Sequence, residues 1–424
     1  VSDPVVDLLA RTPPDRLLPE RRSDEAARMA LPLDVLAHAQ IGDGLAYLLV
    51  RDARGETYGV PAVVEADVLR RAIAGDGASE ALIRALAGGL PRPLVAEVLH
   101  LTPVVGEQAF AVDQTNDLVA VGDAAVVKWL LHPAPEPQPG SVRARQLHDL
   151  PDVPRTWALV HAEVADRRFL VATVSSLVPD AEDGWDWAVA DVRRLATGGD
   201  ATSALEWPSR LGALTARVHR ALARHGVGQA GVDDVARWLS WAERDVSASG
   251  LHGEVAERVR QAMSPLAQAT DTPTIAIHGD LHIGQVLRTR ATGALHVVDF
   301  DGSPLLTAEE NLLPQPAARD VAGMLASLDH VGRVVLHRTD GLDEAQRGRV
   351  RAWIATARRA FLSGYRDTLA ERRMIHLLDE SLLRPMLVQQ ECREYAYARR
   401  YLPHWRYVPD AALPALLEED PDGP

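Results

Sequence analysis

Apolar positions come in short runs over the first part of the chain and recur at helical spacing afterwards. Leu45–Arg51 and Thr57–Val64 are apolar-rich runs flanking the polar stretch DARGE, the pattern of a β-hairpin. Residues 66–73 and 79–87 read as helices, and Gly88, Gly89 and Pro91 then break the pattern. Short apolar strands are expected at 118–121 and 125–131 around a Gly122-Asp123 turn. Residues 133–140 are proline-rich and read as a loop, and 168–177 as a further strand ending in polar Ser175 and Ser176. Beyond residue 178 the period changes. Leu211, Leu214, Val218 and Leu222 fall close to helical spacing within 208–224, and similar patterns cover 233–246, 254–267, 319–328, 343–365 and 381–401. One β-like island interrupts them: 274–278, a loop, 286–288, then 295–300. The acidic end, 418–424, reads as frayed. The expected organisation is a mixed leading section over 1–91, a β-rich section over 92–177, and a helical section with an embedded hairpin over 178–424.

With 424 residues and 47% hydrophobic content there is enough apolar surface for two or three subdomains. No apolar run approaches the roughly 18 residues that span a bilayer, and the first residues lack the basic-then-apolar pattern of a secretory signal. The one cysteine, Cys392, excludes an intrachain disulfide and a cysteine-rich zinc site, and fits a reducing cytoplasm. A net charge of −14 argues against a nucleic-acid partner, since phosphate backbones call for a basic face. The expectation is a cytoplasmic enzyme acting on a small molecule, with no membrane and no nucleic acid; composition leaves the oligomeric state open. Among 45 basic residues Lys128 is the sole lysine, the others being arginine. A bias that converts indifferent lysines to arginine leaves a survivor where a compact ammonium works and a planar guanidinium does not.

The chemistry concentrates in IHGDLHIGQVLRTRATGALHVVDFDGSP, residues 277–304. One strand runs into a polar loop holding His278, Asp280, His282 and Gln285, and a second ends at Asp299, followed by Asp301 and Gly302. Phosphoryl transfer needs a carboxylate to orient and deprotonate the attacking hydroxyl, together with Mg2+ ligands that offset phosphate charge. Asp280 suits the first task. Asp299 suits the second because Mg2+ prefers hard oxygen donors, and Gln285 offers a carbonyl oxygen beside it. Lys128, within VVKWL, suits the nucleotide phosphates, although a lysine in an apolar strand also snorkels at a sheet edge. Taken singly, each Asp or His of the segment also fits an ordinary turn between core strands.

HGDLHIGQ followed by DFDG resembles the active-site loops of the aminoglycoside phosphotransferase-like kinases. The same motifs, with RDVAGML at 319–325, DGWDW at 183–187 and a late tryptophan-containing segment, are more closely similar to bacterial maltokinases and the related actinobacterial glucosamine kinases. The resemblance runs from about residue 92 to the C-terminus; residues 1–91 correspond only in occupying the place of that family's N-terminal cap. It implies an α+β, bilobal protein-kinase-like fold with an N-terminal cap subdomain, and ATP with Mg2+. By resemblance Asp280 is the catalytic base, Gln285 and Asp299 bind Mg2+, and Lys128 holds the α- and β-phosphates. Gln114, Thr115 and Asn116 match the polar phosphate-covering turn of maltokinases, and read equally as a plain hairpin turn. Ser175 through Leu177 to Val178 stand at the hinge that reads adenine through backbone groups. One departure is plain: SVRARQLHDL offers Arg143, Arg145 and Gln146 but no glutamate to pair with the strand lysine, and Glu136 lies upstream among prolines.

At the substrate end, Asp320, after Arg319, reads as support for the catalytic loop or as a direct contact. Glu391 and Glu394 are three apart and share a helix face beside Gln390. They form a carboxylate-lined pocket for hydroxyls and an ammonium, or an outward charged face. Trp405 stacks on a sugar ring or packs in the core. His282, Asp301, Arg319 and Asp320 complete the candidate substrate set. The expected activity is phosphorylation of an aminosugar hydroxyl, glucosamine to glucosamine 6-phosphate first, with maltose 1-phosphate formation and aminoglycoside modification as alternatives. Rival readings are a kinase fold that binds a metabolite without catalysis, and a metal-dependent hydrolase built on His278, Asp280 and His282.

Overall fold

The computed structural model describes residues 4–19, 23–26, 28–110 and 117–418. They group into two units, residues 1–148 with 154–179 and residues 149–153 with 180–424.

The first unit opens with α1 (Pro4–Leu9) and α2 (Ser23–Ala26) and builds an antiparallel sheet from β1 (Asp34–Gly42), β2 (Leu45–Arg51), β3 (Thr57–Val64) and β4 (Leu69–Arg71), in that order. The unbroken apolar run of β2 follows from burial on both faces. Tyr47 and Leu49 join a core with Leu82, Trp129 and Trp157, while Leu48 and Val50 pack with Leu8, Leu17 and Leu131. Residues 66–73, expected to be helical, supply β4 instead. Leu69 N–H donates to Thr12 Oγ1 (2.9 Å), and the buried Arg71 guanidinium donates to the Gly59 carbonyl (2.9 Å) and to Asp117 (2.5 Å). These tertiary donors and acceptors outweigh a weak local helix preference. Next comes α3 (Ala78–Gly88), then a second antiparallel sheet of β5 (Leu94–Val98), β6 (Glu107–Ala109), β7 (Asp117–Val121), β8 (Ala125–Trp129), β9 (Thr156–Val164) and β10 (Arg167–Ser176), ordered β5-β9-β10-β8-β7-β6. Glu107 of the second sheet accepts from the N–H groups of Gly77, Ser79 and Glu80 at the start of α3 (2.9, 2.6 and 3.0 Å), where helical donors have no internal partner. Residues 1–91 and 92–177 therefore share one core and one capping carboxylate.

The proline-rich loop ends sooner than expected, at Pro139, the first residue of α4 (Pro139–Leu147). Glu136 just before it accepts from Gln138 N–H (2.8 Å) and the Ser141 hydroxyl (2.7 Å) and meets His161 Nε2 at 2.7 Å.

The second unit carries β11 (Ala181–Glu182), α5 (Gly184–Ala196), α6 (Thr202–Ala223), β12 (Gly228–Gln229), α7 (Val232–Ser249), α8 (Gly253–Met263), β13 (Pro273–Thr274), β14 (Val286–Thr289), β15 (Leu295–Val297), α9 (Ala308–Leu312), α10 (Ala318–Arg338), α11 (Glu344–Ala370), α12 (Leu383–Arg400) and α13 (Tyr407–Glu418). The expected island is shorter in strand than its pattern suggested. Ile275 bridges Gln315, residues 276–278 leave the sheet, and β15 stops at Val297 so that 298–300 turn away. Among the described residues no helix is long and apolar enough to cross a membrane.

The closest helix crossing is that of α6 and α11, and glycine permits it. A Cβ on Gly212 would lie 1.9 Å from the Phe361 carbonyl oxygen, and one on Gly364 would lie 2.1 Å from that of Ser209. Gly348, also in α11, has nothing within 4 Å of its Cβ position. Gly212→Ala is therefore expected to destabilise the fold by about 1–3 kcal/mol through overpacking, whereas Gly348→Ala stabilises it by about 0.5–1 kcal/mol through helix propensity. Urea unfolding of the two variants checks the contrast in sign.

Candidate active site

The loop after β13 is held mainly from α10. Asp320, buried in the first turn of that helix, accepts from the backbone N–H groups of His278 (2.7 Å) and Gly279 (2.8 Å). Its Oδ2 also accepts from His219 Nε2 of α6 (3.0 Å). Burial alone would push this carboxyl up, but the hydrogen bond and charge of His219, with His278 and Gly279 behind them, hold it below the usual carboxylate range. One turn on, a Cβ at Gly323 would lie 2.7 Å from the Leu281 carbonyl, and Ser327 Oγ accepts from Ile283 N–H (2.8 Å). From the other side α5 starts against the same loop: a Cβ at Gly184 would fall 1.7 Å from the Ile283 carbonyl oxygen.

Within this clamp His278 donates Nε2–H to the Val298 carbonyl (3.0 Å) and accepts from Asp280 N–H at Nδ1 (3.3 Å). Burial pushes its pKa down, so it stays a neutral strut between the loop and the end of β15. Asp280 keeps some open surface but is crowded by protein, and its carboxyl is pushed up to about 6. Burial is the main cause; Asp299 and Glu394 add repulsion, while His278 and Arg393 oppose it. A carboxylate poised there is ionised at neutral pH yet basic enough to take a hydroxyl proton.

Asp299 is exposed and adopts φ +62°, the left-handed backbone region that Asp tolerates better than most side-chain-bearing residues. The turn continues through Asp301, also exposed, to Gly302 at φ +85°. Asn311 closes it, accepting from Ser303 N–H (2.8 Å) and donating to the Ser303 carbonyl (2.9 Å). Gln285 Nε2 lies 3.5 Å from Asp299 Oδ2, and half a turn of its amide presents the carbonyl oxygen on the same side. One carboxylate and one amide oxygen suit Mg2+, which keeps waters and phosphate oxygens in its remaining positions.

Around His282 a second group gathers. Burial keeps His282 neutral against the pull of Glu394, Asp299 and Asp183, and its Nδ1 accepts from Gly284 N–H (3.1 Å). Glu394 accepts from Trp405 Nε1 (2.9 Å) and Gln390 Nε2 (3.1 Å), both neutral donors. Trp405 meets Trp185 edge-on at 5.5 Å and His330 at 6.2 Å. Glu391 is buried and accepts from His330 Nε2 (2.9 Å); burial would lower that imidazole, but Glu391, Glu394 and Asp329 raise it to about 9, while burial raises the Glu391 carboxyl as well.

Of the candidate substrate residues, His282, Gln390, Glu394 and Trp405 come together in the second unit, and Asp301 sits in the neighbouring turn. Three others are committed elsewhere. Asp320 is spent on the loop. Arg319 is buried over the Trp241 ring at 5.4 Å, with Nη1 3.4 Å from Gln389 Oε1. Glu391 is paired with His330. All three side chains are buried, with their hydrogen-bond partners inside the protein. Among the nucleotide candidates, Lys128 occupies the less buried face of β8 opposite Leu118 and Thr173. Ser175 pairs with Val126, and Leu177 N–H donates to the Ala124 carbonyl (2.8 Å). Gln114, Thr115 and Asn116 lie outside the described residues. Glu136, with its commitments to His161, Ser141 and Gln138, is a capping group of α4. The sequence reading missed Arg393, His219 and His330. A legible signal existed for the last: Asp320, Gly323, Ser327 and His330 are spaced 3, 4 and 3 apart, a polar and small stripe along one face of an otherwise apolar helix.

No protein-family model matches the chain. It is 44% identical over 435 aligned residues to a glucosamine kinase of Streptacidiphilus jiangxiensis, covering 97% of this chain and 98% of that protein. It is 39% identical over 378 residues to a glucosamine kinase of Mycolicibacterium smegmatis (strain ATCC 700084 / mc(2)155), covering 85% and 93%. A solved glucosamine kinase, in complex with glucosamine, ADP and inorganic phosphate, matches with a TM-score of 0.80 at 40% identity, over 98% of this chain and 100% of that one.

The raised carboxyl of Asp280 generates a pH prediction. A base must be ionised to work, so the turnover rate is expected to fall as pH drops through about 6 and to level off above it. Asp280→Asn should lower the rate on the order of a hundredfold to ten-thousandfold and abolish that limb, as a pH–rate profile of both proteins would read.

Proposed function

The chain belongs to the glucosamine kinase family, and from that premise we propose that it transfers the γ-phosphoryl group of ATP to glucosamine, giving glucosamine 6-phosphate. The observation that carries the reading is the 44% identity, over 97% of the chain, to a glucosamine kinase; in this reading Asp280, Asp299 and Glu394 serve as base, metal-binding carboxylate and acidic substrate residue. An ATP-dependent kinase needs the first two, and a cationic sugar adds the need for the third.

In this reading Asp280 orients the attacking hydroxyl and accepts its proton. Asp299 and Gln285 would hold Mg2+, which offsets the charge of the phosphates when bound. Lys128 is assigned the α- and β-phosphates by resemblance, as a point-charge donor. Glu394 receives the ammonium of the aminosugar: its hydrogen-bond donors, Trp405 and Gln390, are both neutral, and it makes no ion pair among the described residues. The Trp405 face suits the apolar side of a pyranose ring, and Trp185, edge-on to it, fixes its plane. His282, neutral, is a hydrogen-bonding partner that does not compete for the carboxylate.

A coupled assay with ATP across glucosamine, glucose, maltose and kanamycin tests the proposal. Turnover is expected with glucosamine well above the others, and turnover of maltose without glucosamine would reverse the assignment. In the same assay Lys128→Arg should lower activity on the order of a hundredfold, the cost of one displaced electrostatic donor, although its charge is conserved.

A further inference from the structure

Behind the catalytic loop lies a chain of buried hydrogen bonds that crosses three helices. The Tyr365 hydroxyl of α11 and His219 Nδ1 of α6 are 2.7 Å apart. His219 Nε2 lies 3.0 Å from Asp320 Oδ2 of α10, whose two oxygens take the N–H groups of His278 and Gly279. Tyr365 and His219 are fully buried, and Asp320 is 1% exposed. Nε2–H donates to the carboxylate, and Nδ1 faces the Tyr365 hydroxyl, which can give or take a hydrogen bond.

We propose that His219 and Tyr365 are positioning residues for the phosphoryl transfer: through Asp320 they fix the backbone from which the Asp280 carboxylate projects. Three observations argue that this is more than a filled core. First, Asp320 Oδ2 accepts from both His219 and His278 N–H. Loss of His219 leaves a buried carboxylate with one fewer donor and able to turn about its last bond, which shifts both loop contacts together. Second, the loop has little freedom of its own. Gly279 sits at φ +89°, with its Cβ position 3.3 Å from Gly302 Cα and 3.5 Å from Asn311 Oδ1, so a shift there is passed on to the turn that carries Asp299. Third, His219 lies seven residues, two helical turns, beyond Gly212 on the same face of α6, and Tyr365 follows Gly364 in α11. The glycine-permitted crossing of these helices is what sets the ring and the phenol at hydrogen-bond distance. The packing of α6 on α11 thereby reaches the reacting carboxylate through fixed, directional bonds.

The proposal rests on Asp280 as the base for its effect on rate, while its effect on the loop stands independently of that reading. The test uses the full chain with His219→Leu, His219→Gln and Tyr365→Phe, read by steady-state kinetics and by amide hydrogen exchange. His219→Leu is expected to lower kcat on the order of a hundredfold, the cost of a misplaced catalytic group, with KM for ATP and for glucosamine within a few-fold of wild type. His219→Gln, which restores a donor toward Asp320, should recover most of that loss. Tyr365→Phe should lower kcat by a smaller factor. In His219→Leu and Tyr365→Phe the amides of His278 and Gly279 should exchange faster while those of α7 and α12 keep their wild-type protection. Exchange that rises everywhere, or a kcat loss matched by KM and not recovered by glutamine, would show a general packing role and overturn the proposal. Should His219→Leu not fold, the glutamine and phenylalanine variants decide the matter: an unchanged kcat and unchanged loop exchange in Tyr365→Phe overturns it. If Asp280→Asn keeps full activity, the base assignment fails instead, and the exchange pattern still judges the relay.

Discussion

Two backbone N–H groups held by one buried carboxylate are the constraint on which this site depends. A loop leaving a sheet would ordinarily give its amides to water; here residues 276–278 quit the strand after a single bridge at Ile275, and Asp320 takes their place as acceptor. A buried carboxylate is costly unless its oxygens are filled by donors. Three N–H groups fill Asp320, one from a side chain and two from the loop, so ionisation of the carboxylate and ordering of the loop support each other. The remaining contacts, Gly323 against Leu281 and Ser327 against Ile283, extend the same helix along the loop as a template.

That template explains how Asp280 can be crowded and still fill the proposed role of base. Its carboxyl lies near Asp299 and Glu394, which oppose its ionisation, and near Arg393, which favours it. The balance leaves a group that titrates close to neutrality rather than one locked in either state. A nucleotide-bound cation would draw off the Asp299 repulsion, so the charge of the base is coupled to the presence of its co-substrate.

Much of this was legible in the chain because the chemistry is local. Asp280, Gln285 and Asp299 lie within one short segment whose residue types suit the proposed base and hard-oxygen ligands, and the structure brings the three into one region. The helical section was readable wherever one face was apolar, as in 208–224. Reading failed where tertiary partners decide. Residues 66–73 carry helix-compatible spacing, yet Arg71 and Leu69 find acceptors and donors across the sheet that no local pattern announces. The nucleophile-side supports were invisible for the same reason. His219 and Tyr365 are far apart in sequence and each looks like an ordinary core residue; only the close α6–α11 crossing makes them partners. Burial is what the pattern of polar residues near the motifs does not reveal. Arg319, Asp320 and Glu391 are buried and find their hydrogen-bond partners within the protein, and the support reading of Asp320 agrees with its two loop contacts.

The helix α12 shows why the acidic residues of a substrate pocket are hard to recognise from periodicity. One face carries Gln389 and Arg393, which both donate to the buried Asp245 of α7, at 2.7 and 2.8 Å. The next face carries Gln390 and Glu394, directed to Trp405, and between them Glu391 is closed off by His330. Both faces are therefore polar and largely buried, so the helix has no clean apolar stripe to find. The division has a physical purpose. The Asp245 side fixes the helix by charge-assisted bonds, which resist sliding as a greasy face would not. Glu391 is closed off by His330, and of the two acids Glu394 alone has only neutral hydrogen-bond donors. A helix anchored in this way holds Glu394 at a defined depth, which is what the proposed discrimination of an ammonium from a hydroxyl requires.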